Sequence, residues 1–597
     1  MRRFGRRRAA GIGGLLALVI VLPFAVSGSL GAWDEVEVVN RQVGALDCGA
    51  NTSFASTAWG RVVSGALGGS SLDGVAALKG LTVTNTAPAT SSVATGASPS
   101  HDATNDAWTS ALDLSALSAV DIGAGVHLPF GAGTGVYTQY GRATAAGRST
   151  GASGAVTSAA NGLVSLDAPT GGTPTLGSLM LSSVLSTVIS DQLGANASRL
   201  ADVGLSIGAV GSTADLDACG AAWAAQGDQS AYVTRDYLVS SLGLGLKSSI
   251  LTAVQAALTS TLTTTESTLD GLLAPGTSIT GTTLTGLTSV LNPLLNLTVL
   301  GIPLTGGGIS SLKVGVDFDL QPVKDLLAQD LTSGSVVVNL ASGTIMADLA
   351  GANGLVDLNS LPANSSLLTP ATVTKLTQDV SNAITGLVTG TLTTALTSAV
   401  YGAAVTVDIA ASQKAVGLTL VNLAIKLTGT LGAFVGQSGY GTVTATVTPT
   451  VLPVLGTVLG LLGLGALDPS AIAAGITAGL VTPLVQNFVP ALAAAVLNPV
   501  VTGATSTVTT TLSTVTNTTL PPLLAQLNPV FTLLQRLVNV TANAQPDRPN
   551  PVGVPDPTAP GTYFVSALKI GAVNPDTSAS LLGLYLGSSS VGPNGRR

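Results

Sequence analysis

Between Lys426 and Arg536 the chain carries a single formal charge, Asp468. A segment so poor in ions must bury its apolar side chains against other parts of the protein or meet an apolar phase, because charged residues are what normally mark the solvent face of a helix or strand. The same poverty holds throughout: 9% of residues are charged, against about 25% in an ordinary soluble domain. Hydrophobic residues make up 46% of the 597 and glycine contributes 72, so the chain has enough apolar content for sizeable cores in about two to four domains. Its surfaces must then be covered by the hydroxyls and amides of Thr, Ser and Asn.

Periodicity assigns the elements. Ile250, Leu251, Val254, Leu258, Leu262 and Leu269 fall on one face of a helix predicted over Lys247 to Leu269. Thr369-Pro370 reads as a hydroxyl N-cap followed by proline in the first helical position. It opens a second helix with Val373, Leu376, Val380, Ile384, Leu387, Val388, Ala395 and Val400 on its face. Asp468-Pro469 opens a third by the same logic. Between them lie strands with a dry and a wet face, the clearest being Leu312, Val314, Val316, Phe318 and Leu320 against Lys313, Gly315, Asp317 and Asp319. Ala403 to Ile409, Val421 to Leu427 and Val443 to Val447 repeat the alternation.

The fold class expected is therefore α+β and β-rich, with antiparallel sheets and Leu/Thr-rich amphipathic helices packed on them, in several domains. Residues 1–31 read as a signal peptide, 32–237 as an N-terminal β-rich domain and 238–544 as a central α+β region. Residues 545–562 read as a proline-rich linker and 563–597 as a C-terminal hairpin and tail. The hairpin pairs Tyr563 to Val573 with Leu581 to Leu586 across an Asn574-Pro575-Asp576 turn. Two strands alone are marginally stable, so it must dock on an earlier sheet.

The signal rests on a basic run, Arg2, Arg3, Arg6, Arg7 and Arg8, followed by an uncharged apolar stretch from Ala9 to Val26 and small residues from Ser27 to Ala32 where a peptidase would cut. An uncleaved anchor of the same length is the alternative. Removing the five leader arginines leaves 18 cations against 30 acids, a formal charge of −12. With eight lysines and no basic cluster after the leader, a nucleic-acid partner has no electrostatic footprint. In an oxidising compartment Cys48 and Cys219, set in Leu46-Asp47-Cys48-Gly49 and Asp217-Ala218-Cys219-Gly220, read as one disulfide, with two buried thiols as the other reading. Closing so long a loop is worth up to about 5 kcal/mol in the chain-entropy account.

The stretch Trp33-Asp34-Glu35-Val36-Glu37 running to Val43-Gly44-Ala45-Leu46-Asp47-Cys48-Gly49, with the terminal Leu586-Gly587-Ser588-Ser589-Ser590-Val591-Gly592-Pro593-Asn594, resembles the choice-of-anchor G family. That resemblance implies a protein exported by Gram-positive actinobacteria to the cell surface and carries no activity with it. The sequence departs from the anchored pattern: it has no Leu-Pro-x-Thr-Gly, and only Gly595, Arg596 and Arg597 follow Asn594, so covalent sorting to the wall is not expected.

Catalytic constellations are sparse. Histidine occurs only at His101 and His127. Gly147-Arg148-Ser149-Thr150-Gly151 matches the nucleophile-elbow pattern, yet the triad order needs a histidine later in the chain and none follows His127. His101-Asp102 with Asp106 is read as a polar turn rather than a set of ligands, and His127 as packed in or beside a strand. Glutamate occurs only at positions 35, 37 and 266, leaving aspartates as the sole carboxylate pairs for glycoside hydrolysis. No lysine follows a glycine, which removes a Walker A loop, and Gly243-Leu244-Gly245 is read as lacking the strand, helix and acidic residue of a dinucleotide site. No enzyme, cofactor or metal site is expected. The leading expectation is a secreted or envelope-associated structural or adhesion protein whose partner is an envelope component or a host or surface ligand. The alternative is a lipid-contacting or pore-forming protein acting through residues 427–535, where Val451 to Leu467 is apolar and about the length of a short span.

Overall fold

The computed structural model describes residues 54–596 apart from 87–90, 121–127, 132, 159–163, 166–173, 194–196, 198, 224–227, 454–467 and 549–561. All of these belong to the second of two compact units, Thr52–Arg597. Strands β1 to β6 span Phe54–Leu67, Leu81–Asn85, Val136–Ala143, Arg148–Gly154, Val210–Asp217 and Val233–Val239. Strands β7 to β10 span Ile302–Asp317, Ala404–Ala415, Leu418–Thr430 and Thr444–Val451, and β11 to β13 span Val538–Ala544, Tyr563–Val573 and Ser580–Val591. Helix α1 is Ser249–Asp270, α2 is Gly281–Leu294, and α3 and α4 are the long helical stretches Pro370–Gly402 and Pro469–Leu537.

The fold is multi-domain, α+β and β-rich, and its sheets are antiparallel. The first sheet runs Ser365–Ser366, β11, β12, β13, β1, β2, Val93–Thr95. The C-terminal hairpin therefore does dock on an earlier sheet: β13 lies between β12 and β1, from Ala58 opposite Val591 to Leu67 opposite Leu582. Asn574 starts its turn by accepting the amide of Asp576 at 2.9 Å. The second sheet runs β6, β5, β4, β3, Ala107–Asp113, Ser100–Asp102 and faces the first as a sandwich. A third sheet joins Gly177–Met180 and Asp202–Ile207 to Leu242–Lys247, Thr344–Asp348, Val336–Asn339 and Asp330–Ser333. Sheets thus stitch together segments on both sides of residues 237 and 545.

The fourth sheet, Thr277–Ser278, β7, β8, β9, β10, is built from the alternating runs. Leu312, Val314, Val316, Phe318 and Leu320 are all buried, although β7 itself stops at Asp317. The helix faces follow the sequence closely at their starts. Ser248 caps α1, Thr369 caps α3 with Pro370 behind it, and Asp468 caps α4 by accepting the amide of Ser470.

Further along, the helices depart from a 3.6-residue period. In α4 the buried residues Ile472, Ile476, Leu480, Leu484, Phe488, Leu492, Val496, Val500, Ala504 and Val508 recur every fourth position. Each step of four residues overshoots a full α-helical turn by about 40°, so nine steps would carry the stripe roughly 360° around the helix. Two π-turns, Leu484–Phe488 and Ala493–Leu497, each insert a residue and take back about 100°. The remaining drift matches a change of neighbours. Gly475 meets Val299 beside the fourth sheet, whereas farther along Thr511 reaches Thr265 of α1 at 3.0 Å. The exposed residues between Pro469 and Ala525 are all Ala, Thr, Ser, Asn, Gln or Pro. α3 and α4 are long and apolar enough to cross a membrane, and both turn their large side chains toward the protein.

Candidate functional site

Each chemically suggestive residue type has a definite place. His101 and Asp102 lie on the short strand Ser100–Asp102, which turns back through Asp106 at a positive φ of 47°. Asp102 accepts from Asn105 Nδ2 at 2.7 Å and from the Thr104 amide at 2.9 Å, and these bonds hold its carboxyl below the usual range. Asp106 takes Ser92 Oγ at 2.8 Å and His101 Nε2 at 3.2 Å, while Trp108 Nε1 donates to Ser92 Oγ at 2.9 Å and its ring stacks on His101 at 4.2 Å. A nucleophile needs its hydroxyl on the base. Here serine and histidine both turn to the same carboxylate, so the arrangement holds a hairpin to its neighbour and passes no proton from Ser92 to His101.

Ser149 is fully buried on β4, inside the sandwich rather than on an exposed strand-to-helix turn. Its Oγ accepts from Asn594 Nδ2 at 2.9 Å. Gly243 and Gly245, contrary to expectation, do sit in a strand that leads into a helix, Leu242–Lys247 before α1. They are inside that strand, opposite Ser206 and Gly204, so no glycine loop stands at the helix N-terminus to take a phosphate. Cys219 is half-buried on the short helix Ala218–Trp223, and no cysteine among the described residues is free. Cys48, His127, the signal region and residues 454–467 of the apolar run lie outside the described residues.

What the sequence reading missed is the chemistry of the sandwich interior. At Gly60 a Cβ would stand 2.2 Å from the Ala152 carbonyl oxygen, and at Gly151 2.4 Å from that of Trp59. The two sheets therefore approach backbone to backbone, and glycine is needed there for space. Beside these glycines, serine hydroxyls bridge the gap. Ser153 Oγ reaches the carbonyls of Ser588 and Arg61 across the gap at 2.7 and 3.0 Å. Ser212 Oγ meets Ser589 Oγ at 2.8 Å. The terminal Gly-Ser-Ser-Ser run is thus the middle of a hydrogen-bonded seam, and Ser588 and Ser589 are fully buried.

Asn594 closes the seam. Its Oδ1 accepts the amide of Thr57 at 3.1 Å, its Nδ2 donates to Gly147 O at 3.0 Å as well as to Ser149, and its own carbonyl accepts Gln229 Nε2 at 2.7 Å. Its side-chain amide joins β1, the β3–β4 turn and β4, and its backbone carbonyl adds the short helical turn Gln229–Tyr232. The alternation of the strands predicts faces but not how near the opposing sheet comes, so only the terminal run itself offered a signal.

The ion pairs brace the fold in the same way. Arg235, with its side chain 4% exposed, grips Asp547 at 2.5 and 2.9 Å and Phe564 O at 2.9 Å, tying down the start of the proline-rich segment. Burial pushes the Glu266 carboxyl up, but the 2.6 Å bond from Lys324 Nζ and the Leu320 amide outweigh it and hold the group below its usual value. Asp379 behaves alike, with Lys375 and Ser335 overcoming its burial. No group of three or more metal-ligating side chains occurs among the described residues. A cleft of about 460 Å³ between Phe434 and Val443 on one side and Val485 and Pro490 on the other is lined by Ala, Phe, Val, Gly, Thr, Pro and Asn, with no titratable group.

No curated protein and no solved structure matches the chain. One family model does, over residues 58–592, and those limits are neighbours in the fold, since Ala58 pairs with Val591 and the Gly592 amide donates to Thr57 O at 3.0 Å. The chain belongs to the family described as a domain of unknown function, DUF8394.

Proposed function

We propose that this is an exported, envelope-associated protein with a non-enzymatic structural or adhesive role, of the choice-of-anchor G kind that its two ends resemble. The observation that carries the reading is the use made of the reactive residue types: Ser149, Ser92, His101 and Asp106 are all engaged in holding strands together. The surface supports it. Exposed helical threonines such as Thr263, Thr264, Thr502, Thr505 and Thr509 donate to the carbonyl four residues back at 2.8 to 3.0 Å, leaving hydroxyl lone pairs outward on an almost uncharged face. Such a face suits a neutral envelope component or a host or surface ligand, and offers nothing to a nucleic acid. The arginine-led N-terminus supplies the export signal, and Cys48 joined to Cys219 would be the bridge formed outside the cell.

Fractionation of producing cells tests the reading. Mature protein starting near residue 32, found in the envelope or medium with one disulfide by mass spectrometry, is the expected result. Recovery of the intact N-terminus from cytosol with two free thiols would exclude it. Pull-down on isolated envelopes then identifies the partner.

A further inference from the structure

Methionine stands at positions 1, 180 and 346. Met180 and Met346 are the two among the described residues, and neither is in the core: they are 46% and 49% exposed. The flexibility and polarisable sulfur of this side chain ordinarily serve to fill gaps in a core. Here the register of the third sheet sets both on one face and in one row. Met180 lies opposite Gly204, Gly204 opposite Gly245, Gly245 opposite Met346, and Met346 opposite Val337. Directly opposed residues share a face of a sheet. The other face is the dry one, with Leu179, Leu205, Leu244, Leu246, Ile345 and Val338 all buried.

Around that row the wet face is polar, since Ser178, Ser206, Asp348, Asp202 and Lys247 are exposed on the same strands. The two glycines keep the space between the methionines open. A Cβ at Gly204 would meet only the Leu179 carbonyl oxygen, at 3.3 Å, and the nearest atom to a Cβ at Gly245 would be Met346 Sδ, also at 3.3 Å. Met346 therefore lies across Gly245 with its sulfur on the open face, and no bulky side chain of the row stands between the two thioethers.

An open thioether has a chemistry that the hydroxyls and amides of the rest of this surface lack. Its sulfur lone pair attacks one oxygen of a peroxide, an S–O bond forms and the O–O bond breaks. The sulfoxide keeps that oxygen and the other leaves as water with both protons, so sulfur gives up the two electrons that the peroxide takes. A free thiol would react in preference as its thiolate, and no described cysteine is free. We infer that Met180 and Met346 are a reversible modification site for two-electron oxidants such as hydrogen peroxide, at which oxidation turns this apolar row of the third sheet polar and leaves the core untouched. Of the row's larger apolar side chains only Val337 then remains.

Treating the purified mature protein with hydrogen peroxide tests this. Peptide mass spectrometry should find about 16 Da added at Met180 and again at Met346. The oxidised protein should leave a hydrophobic-interaction column earlier and melt within about 2 °C of the untreated one. Methionine sulfoxide reductases with a thiol reductant should restore both mass and retention. The double variant M180L/M346L keeps the row apolar without sulfur, so peroxide should leave its retention unchanged. Unaltered masses after a dose that converts a free methionine peptide, a melt lowered by more than about 5 °C on oxidation, or an equal loss of retention in the double variant would each overturn the assignment. None of these outcomes bears on export or on the neutral surface proposed above.

Discussion

Asn594 shows how much one amide can hold when it is fully enclosed. Replacing it by alanine strands the Thr57 amide and takes the partner from the buried Ser149 hydroxyl, while the Gly147 carbonyl keeps the Ala218 amide. At about 1–3 kcal/mol for each buried group left without a partner, Asn594→Ala should lower the unfolding free energy by roughly 3 kcal/mol in urea titration. A change within about 0.5 kcal/mol, ordinary for a surface site, would mean the latch is ornamental. Glu266 and Asp379 make a pH-dependent contribution. Both carboxyls sit below their ordinary values of 4.5 and 3.8, so the stabilisation is complete above those values and is lost as pH falls through the lower folded-state ones. Melting temperature should drop on acidification below about pH 4.5, and Glu266→Gln should lower it at neutral pH while flattening the acid limb. At this scale little was legible. The Gly-Ser-Ser-Ser-Val-Gly-Pro-Asn run stood out only as part of a family resemblance, and its burial follows from the approach of a sheet whose residues lie far earlier in the chain, Ser212 being 377 positions from its partner Ser589.

Helix starts were the most readable elements, because caps are local chemistry: Thr369-Pro370 and Asp468-Pro469 begin helices where a hydroxyl or carboxylate meets the first free amides. Helix faces were readable only as far as the period stayed near 3.6. In α3 the expected face is buried through Val388, and then the π-turn Leu387–Leu392 shifts the register. Ala395, expected on the inner face, is half-buried, while Leu392 and Leu396 take the core positions. Leu396→Ala should therefore destabilise the protein by about 2–5 kcal/mol, the range for emptying a leucine site, whereas Thr397→Ala, on the exposed side, should stay within about 0.5 kcal/mol. Equal effects in thermal melts would show that the register shift is absent. Strands β7 to β10 were legible because alternation is strict and one face is wet. The sandwich strands were not, since their inward positions hold Gly and Ser, which a hydrophobic pattern does not mark.

At the level of the whole molecule, the α+β class followed from composition and period, while the connection of the two ends rests on pairing across more than five hundred residues. β13 lies between β12 and β1, so a chain ending at Pro575 lacks the strand that both neighbours bond to. Such a truncation should give insoluble protein or one without a cooperative melt; a sharp, near-wild-type transition would show that the first sheet closes without it. The placement also fixes a sequence of events. Because β13 is made after both strands that flank it, the first sheet has no complete form until β13 has been synthesised, and its two halves stay pliable until then. Under the export proposed above, that delay would be an asset, since closure could wait for the far side of the membrane.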